Sequence, residues 1–298
     1  MTGVQTCALP ILPDRVTLRG IFDEDLDDVY CFLSKNFDPG VILDIWRLAF
    51  NRSWMHEKPN NGFMLVANET IVGVFCALYS QQQTRKGIQN ICNTSTWFVM
   101  DAYRSHSLKL MAAMLDQKGF LFTSLSASPN VYELHRRLGF QSYVTTLVAI
   151  PNLPKLNCIS KRVEILVDPE SISRRLDSHV RQISTDHRDI PTVQQIVFRA
   201  ADEALLVIFD IRRVRGVPAT NIFYLSNPDM FYQHWKEICS SFLLHNYTLF
   251  TRIHRCSMSK VPEFSLEIKR NIALFYNGDI AELSFPEFTY SEHMFFYR

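Results

Sequence analysis

The sequence predicts a mixed α/β fold in which helices flank a mostly antiparallel sheet, followed by a second, smaller α/β half. Apolar runs on both sides of Asn68-Glu69-Thr70 are typical of an antiparallel hairpin. Further along the chain, strand-like runs alternate with segments whose apolar residues recur at helical spacing. The length of 298 residues and the hydrophobic content of 47% allow a sizeable core.

The residue pattern of the first half predicts a series of strands and helices, the last of which ends near residue 150. A helix over 23–37 has Leu26 and Leu33 on one face, and Asp23 is its expected N-cap. Gly139 is expected to end the last helix of this half. The predicted strands are 16–19, 62–67, 71–79, 93–99, 120–126 and 141–150, a polar loop covers 81–87, and the predicted helices are 23–37, 41–50, 107–117 and 130–137.

The residue pattern of the second half predicts an order of elements similar to that of the first half. Its hairpin, 198–209, is comparable to residues 66–75, and its strand–helix–strand segment, 223–250, has nearly the length of 97–122. Such likenesses indicate either a degenerate duplication or a coincidence between two α/β segments, and both remain open. The predicted strands here are 193–200, 205–212, 221–225, 248–254, 272–276 and 294–297, and the predicted helix is 229–244.

A proline-bearing stretch, PNLPKLN, indicates a division of the chain into domains. We expect residues 12–150 to form one domain, residues 151–157 to act as a linker, and residues 158–298 to form a C-terminal α/β domain.

Composition excludes several classes of protein. The net charge of +1 argues against a nucleic-acid partner. No apolar run reaches the roughly 18 residues that a membrane helix needs. The seven cysteines include no CxxC pair, so neither a metal site nor a disulfide framework is predicted. We therefore expect a cytoplasmic protein with no metal and no membrane partner.

The first eleven residues, MTGVQTCALPI, form a segment of doubtful origin. They lack the basic start and long apolar stretch of a signal peptide. They match, codon by codon, a common sequencing adapter. Our hypothesis is that residues 1–11 are a translated adapter from environmental or draft assembly data, and Cys7 is set aside with them. A natural disordered tail is the alternative.

Two motifs carry the chemistry of the first half: WFVMDAYRSHSLKLMAAML at 97–115 and SASPNVYELHRRLGF at 126–140. Together with the order of elements over about 16–150, they resemble the GNAT superfamily of acyl-CoA N-acyltransferases. The resemblance implies a direct transfer of an acyl group, with acetyl-CoA as the expected donor and a small amine as the acceptor.

The resemblance also implies a phosphate-binding segment. In the family, a Q/R-x-x-G-x-G/A loop and the following helix N-terminus hold the CoA pyrophosphate, because free amides and the helix dipole favour anions. Here Arg104 matches the pattern, whereas Ser107 and Lys109 replace its glycines. The implied cofactor-binding residues are Arg104, Ser105, His106, Ser107 and Leu108, with Ser128 on the cofactor arm and the backbone N–H near Phe98 or Val99 as the polariser of the carbonyl.

The catalytic acid is expected on the helix before L-G-F. The family often has Tyr four residues before that glycine, where it protonates the departing thiolate; His135 occupies the position here. Tyr132 is the other candidate. Both also have an ordinary interpretation, as a helix-surface histidine and a core aromatic residue.

No general base can be named from the sequence. The strand NTSTWFV contains neither Asp nor Glu, and Asp23, Glu24, Glu57 and Glu69 cannot be placed against it. Cys76 and Cys92 lie in predicted strands without an adjacent His, so burial is favoured over a covalent acyl-enzyme. The sequence therefore supports an acyltransferase, and a non-catalytic GNAT-fold module that binds a ligand or protein is the alternative.

Overall fold

A computed structural model describes residues 15–37, 43–51, 54–55, 57–84, 87–155, 164–168, 176–200, 202–276 and 288–295. The predicted adapter segment, 1–11, and the last two residues of the predicted linker, 156–157, lie outside these ranges. No helix in the described part of the chain is both long enough and apolar enough to cross a membrane.

The chain begins with β1 (Val16–Gly20), a short 3-10 turn, α1 (Leu26–Asn36) and α2 (Leu43–Asn51). Both helices bury one apolar face against the sheet, as their periodicity predicts. Asp23 is not the N-cap of α1. Its carboxylate accepts from the Asn61 side chain at 2.8 Å, whereas the Asp25 carboxylate accepts from the Phe22 backbone N–H at 2.9 Å.

The strands on both sides of residues 85–86 are longer than predicted. After β2 (Gly62–Ala67), β3 (Thr70–Thr84) and β4 (Gly87–Val99) stay paired as far as Thr84 and Gly87. The prediction of a loop over 81–87 is therefore wrong for 81–84 and Gly87. Polar side chains continue this ladder, since Gln81 Nε2 donates to Asn90 Oδ1 across it at 3.1 Å.

The remaining elements of the first half follow the predicted order. They are a 3-10 helix (Asp101–His106), α3 (Ser107–Leu115), β5 (Phe120–Ser124), α4 (Pro129–Arg137) and β6 (Gln141–Pro151). Gly139 follows α4 with φ +94°, in the left-handed region that glycine adopts at low cost, so the predicted helix end is confirmed.

The second half contains the predicted hairpin and helix, together with a strand and a helix that were not predicted. The unpredicted elements are β7 (Glu164–Leu166) and α5 (Ser178–His187). The others are β8 (Gln194–Ala200), β9 (Glu203–Val214), β10 (Val217–Leu225), α6 (Pro228–Asn246), β11 (Phe250–His254) and β12 (Leu266–Tyr276).

All described strands belong to one twelve-stranded sheet, in the order β1-β2-β3-β4-β5-β12-β6-β11-β10-β9-β8-β7. The order is nearly symmetric about its centre, where β12 and β6 pair. Strands β1 to β5 follow one another inward from one edge, and β7 to β11 follow one another inward from the other edge. Among these strands only β4–β5 and β10–β11 are parallel. The predicted mixed, mostly antiparallel architecture is confirmed, and β12 lies between β5 and β6 of the first half.

The segment 288–295 ends the described chain as two short 3-10 turns, Phe288–Tyr290 and Glu292–Met294. The prediction of a strand over 294–297 is wrong for Met294 and Phe295, and residues 296–297 lie outside the described ranges. Met294 and Phe295 are instead buried in the apolar cluster that contains α1, α2 and α5. The short apolar run was predicted to be a strand because both a buried strand and a buried turn place apolar residues in the core.

Candidate functional site

The site lies where the parallel strands β4 and β5 separate. They pair from Asn90↔Phe120 to Asn93↔Thr123, and a bulge follows in β4 between Thr94 and Trp97. Beyond it the strands enclose a cavity of about 330 Å³. Its walls come from the end of β4, the start of α4 and the segment 288–295, and they include Ser95, Trp97, Ser126, Ser128, His135 and Glu292.

The backbone of β4 presents some of its amides toward this opening. Met100 N donates to Val72 O at 2.9 Å, and bonded and non-bonded pairs alternate along an antiparallel ladder. By this alternation the Phe98 amide faces Val74 of β3, whereas the Trp97 and Val99 amides face the β5 side. Of the two amides expected from the sequence, Val99 is the one directed away from β3.

His135 is buried at the cavity wall. Its Nδ1 lies 2.7 Å from the Val131 carbonyl, so the neutral ring carries its proton on Nδ1. Its Nε2 is buried and has no hydrogen-bond partner among the described residues. Burial lowers the pKa of His135, against the opposing effect of the Val131 hydrogen bond. The resting ring is therefore a neutral imidazole whose Nε2 can accept a hydrogen bond.

Trp97 supplies a second polar atom to the same wall. Its ring stacks on Phe75 with centroids 4.8 Å apart and meets His135 edge-on at 6.2 Å. Its Nε1–H is buried and has no acceptor within the described part of the chain. An unpaired buried donor costs about 1–3 kcal/mol, which a ligand acceptor in the cavity would offset.

Tyr132 lies elsewhere on α4. Val131 and His135 are one helical turn apart and both line the cavity, whereas Tyr132 packs partly buried against the apolar cluster under α3. Ser128 lines the cavity as the N-cap of α4, and its side chain makes no capping hydrogen bond. The structure thus brings His135 and Ser128 together and places Tyr132 on a different side of the helix.

The expected phosphate-binding segment is helical. Residues 101–106 form a 3-10 helix that continues into α3, and the Ser107 N–H donates to the Arg104 carbonyl. The Arg104 side chain is 72% exposed and pairs with Asp101 at 2.9 Å. Ser105 and Leu108 are exposed, and His106 and Ser107 are half-buried. Any anion here would meet exposed cationic side chains and a helix start whose Ser107 amide already has an acceptor.

A carboxylate that the sequence did not indicate reaches the cavity. Glu292 is 4% exposed, and its Oε1 accepts from Ser126 Oγ at 2.5 Å. Its other oxygen accepts from the side-chain amide of Asn93, the last residue of β4 that pairs with β5. No local motif marks Glu292, because its partners lie in distant parts of the sequence.

The acidic residues considered from the sequence lie outside the cavity lining. Lys58 and Asn61 bind Asp23, and the Asn61 hydrogen bond lowers the pKa of its carboxyl against the effect of burial. Glu69 is exposed in the β2–β3 turn with φ 62°. Neither Asp23 nor Glu69 is therefore positioned to act as a base in the cavity.

Cysteine chemistry is disfavoured by burial. Desolvation raises the pKa of Cys76 to about 12 and also raises the pKa of Cys92. Thiolates at these positions are strongly disfavoured near neutral pH. Within the described residues, no three His, Cys, Asp or Glu side chains are grouped to hold a metal ion.

The corresponding end of β10 differs from that of β4. It also has an irregularity, between Ile222 and Tyr224. The helix that follows, however, has a side-chain N-cap, Asn227. Asn227 Oδ1 accepts from the Met230 N–H at 2.9 Å, and Pro228 provides no amide. This helix start is therefore less suited to an anion than an open one.

Several solved structures resemble this chain. A GCN5-related N-acetyltransferase from Kribbella flavida is 14% identical, with a TM-score of 0.58, over 88% of this chain and 71% of that one. Another, from Anabaena variabilis ATCC 29413, is 11% identical with a TM-score of 0.59, over 87% and 72%. A probable N-acyltransferase from Enterococcus faecalis V583 is 11% identical with a TM-score of 0.59, over 88% and 72%.

These similarities show that the chain has the GNAT fold. No protein-family model and no curated protein matches the sequence.

Proposed function

We propose that this chain transfers an acyl group from an acyl-CoA to an amine, in the cavity between β4 and β5. The proposed donor is acetyl-CoA and the proposed acceptor a small amine. One observation carries the proposal: two residues that line this cavity, Trp97 and His135, each carry a buried ring nitrogen that has no hydrogen-bond partner among the described residues. The fold that this chain shares with N-acetyltransferases supports acyl transfer as the reaction in that cavity.

The donor's amide-bearing arm suits the gap between the strands. Separated strands leave backbone groups on their facing edges, and an extended amide chain can pair with them. The Trp97 indole N–H would donate to a carbonyl of the arm, and His135 Nε2 would accept from an N–H or a thiol. The Val99 amide would then polarise the thioester carbonyl, as in an oxyanion hole.

The pyrophosphate would lie over residues 104–108 at the start of α3. Arg104 and Lys109 have exposed side chains that can meet phosphate, and the helix dipole adds to their attraction. Because the Ser107 N–H already donates to the Arg104 carbonyl, side-chain charge contributes more here than the backbone amides do.

His135 is proposed as a proton shuttle. In the resting state its Nδ1–H donates to the Val131 carbonyl, so Nε2 is free of a proton. Nε2 would accept a proton from the attacking nitrogen and then deliver it to the coenzyme A thiolate. The lowered pKa of the ring makes the transient imidazolium a ready donor. Tyr132 remains the alternative donor to be tested.

The second half is proposed to be a degenerate copy of the first. Three observations support this: the symmetric strand order, the two parallel pairs β4–β5 and β10–β11, and the irregularity in both β4 and β10. The capped start of α6 favours a copy without its own cofactor site.

The direct test is calorimetric titration of acetyl-CoA into the purified protein, followed by thiol release with a panel of primary amines. We expect saturable binding and amine-dependent thiol release. Absence of acetyl-CoA binding would overturn the proposal. Binding without turnover would favour the second candidate, a non-catalytic ligand-binding module, which the helical segment 101–106 in place of an open loop also favours.

A further inference from the structure

The segment 288–295 is fastened to the second half of the molecule. His187 Nε2 lies 2.8 Å from the Thr289 carbonyl, and Tyr290 Oη donates to Asp186 Oδ2 at 2.8 Å. Thr192 Oγ1 donates to the Met294 carbonyl at 2.6 Å. A guanidinium of β9, Arg212, donates to the His293 carbonyl at 3.0 Å. These contacts lie on both sides of residue 292 and fix its backbone.

From this anchored backbone, Glu292 extends into the cavity of the first half. Its two hydrogen-bond donors, Asn93 and Ser126, lie on the two sides of the gap between β4 and β5. Thr123 Oγ1 donates to Asn93 Oδ1 at 2.8 Å, so the amide of Asn93 is oriented with its N–H₂ toward Glu292. Two donors thus hold both oxygens of this carboxylate as hydrogen-bond acceptors.

Apart from Glu292, the described lining of the cavity carries few ionisable side chains. Its described lining contains no Lys or Arg, and Glu292 is its sole acidic residue. A carboxylate has about four acceptor positions, and the two bonds from Asn93 and Ser126 leave positions for a further donor. Since a buried anion without a cationic partner is costly, a cation entering the cavity would be bound favourably.

From this arrangement we propose that Glu292 is the catalytic base, and that it selects acceptors that arrive as a primary ammonium ion. This inference rests on the proposed function. An amine must be neutral to attack a thioester, and most alkylamines are protonated at neutral pH. A carboxylate in the cavity binds the ammonium and takes one of its protons.

The proton balance of the step is complete. One proton of the ammonium moves to Glu292 and leaves to solvent after the reaction. The nitrogen lone pair forms the C–N bond as the C–S bond of the thioester breaks. The second proton of the nitrogen passes through His135 Nε2 to the sulfur, so the products are an amide and coenzyme A thiol.

The proposal is tested with Glu292→Gln, which keeps the size and removes the charge. The probes are acetyl-CoA and the primary amines spermidine, glucosamine and butylamine. We expect acetyl-CoA affinity within about twofold of the wild type, and kcat/KM for the best amine lowered by roughly 10²–10⁴-fold. Glu203→Gln, an exposed change on β9, is the matched control and should behave as the wild type.

A second variant separates chemistry from folding. Glu292→Ala should regain part of its activity when formate is added, which a merely structural role would not allow. Unchanged kcat/KM in Glu292→Gln, or no rescue of a folded Glu292→Ala, overturns the inference alone. A wild type that does not bind acetyl-CoA, or that binds it and acylates no amine, overturns the proposed function itself and the inference with it.

Discussion

The side-chain amide of Asn93 donates a hydrogen bond to the carboxylate of Glu292, although 199 positions separate the two residues. A hydrogen bond to a charged group contributes about 1.5–3 kcal/mol. We expect Asn93→Ala to lower kcat by roughly tenfold or more while acetyl-CoA affinity stays near that of the wild type. Steady-state kinetics and calorimetry measure the two effects separately. Asn90→Ala, on the polar end of the same strand, is the control, and an equal loss there would contradict a positioning role for Asn93.

The choice between His135 and Tyr132 can be made with two variants. If His135 transfers the proton to the thiolate, His135→Ala should lower kcat by roughly 10²–10⁴-fold. Tyr132→Phe should cause little beyond a small packing loss, since Tyr132 lies in an apolar cluster. Thiol release under saturating substrates is the measurement, and the reverse pattern would assign the role to Tyr132.

Burial of His135 also has a consequence for stability. Because its pKa is lowered from the ordinary value of about 6.5, the unfolded chain takes up a proton at this ring at a higher pH than the folded chain does. The stabilisation is complete above about pH 6.5 and is lost as the pH falls toward the folded pKa. Urea unfolding as a function of pH should show a shallower decline in His135→Gln than in the wild type. His179→Gln, at an exposed position of α5, should keep the wild-type slope.

Trp97→Phe tests whether the unpaired indole N–H serves a ligand. Removing an unsatisfied buried donor should cost the ligand-free protein little stability, because no protein hydrogen bond is lost. Acetyl-CoA binding should weaken by about 2–10-fold, as expected for one hydrogen bond of roughly 0.5–1.5 kcal/mol. Thermal unfolding and calorimetry measure both, with Trp235→Phe as the control. Unchanged affinity would show that the indole N–H does not contact the ligand.

Arg104→Ala addresses the pyrophosphate position. The side chain is exposed, so its contribution to binding should fall as salt increases. We expect weaker binding of acetyl-CoA at low salt and unchanged binding of acetyl-pantetheine, which lacks the pyrophosphate. Arg213→Ala, in the second half, should affect neither ligand. A loss that is the same for both ligands would place the pyrophosphate elsewhere.

Local patterns predicted most elements of the first half because each depends on neighbouring residues. Apolar periodicity gave α1 and α3, and the glycine after α4 gave its end. The prediction failed at residues 81–84, where glutamine side chains extend the β3–β4 hairpin through cross-strand hydrogen bonds. Polar composition alone does not distinguish such a hairpin from a loop.

The candidate site was predictable in part for the same reason. His135 and Ser128 lie in one contiguous motif and do line the cavity. Glu292 could not be found, because its place depends on contacts with residues more than 160 positions away. The position of β12 between β5 and β6 is likewise a long-range pairing that no local periodicity encodes.

The central pairing of β6 with β12 has a consequence for how the chain acquires its structure. During synthesis, β5 and β6 emerge well before β12, the strand that lies between them. Until β12 is made, the edges of β5 and β6 that it pairs with are unpaired. Folding of either half is then coupled to completion of the other, and neither is expected to be a stable product on its own. Separately expressed pieces, cut between residues 155 and 164, should be insoluble alone and recover structure only when co-expressed.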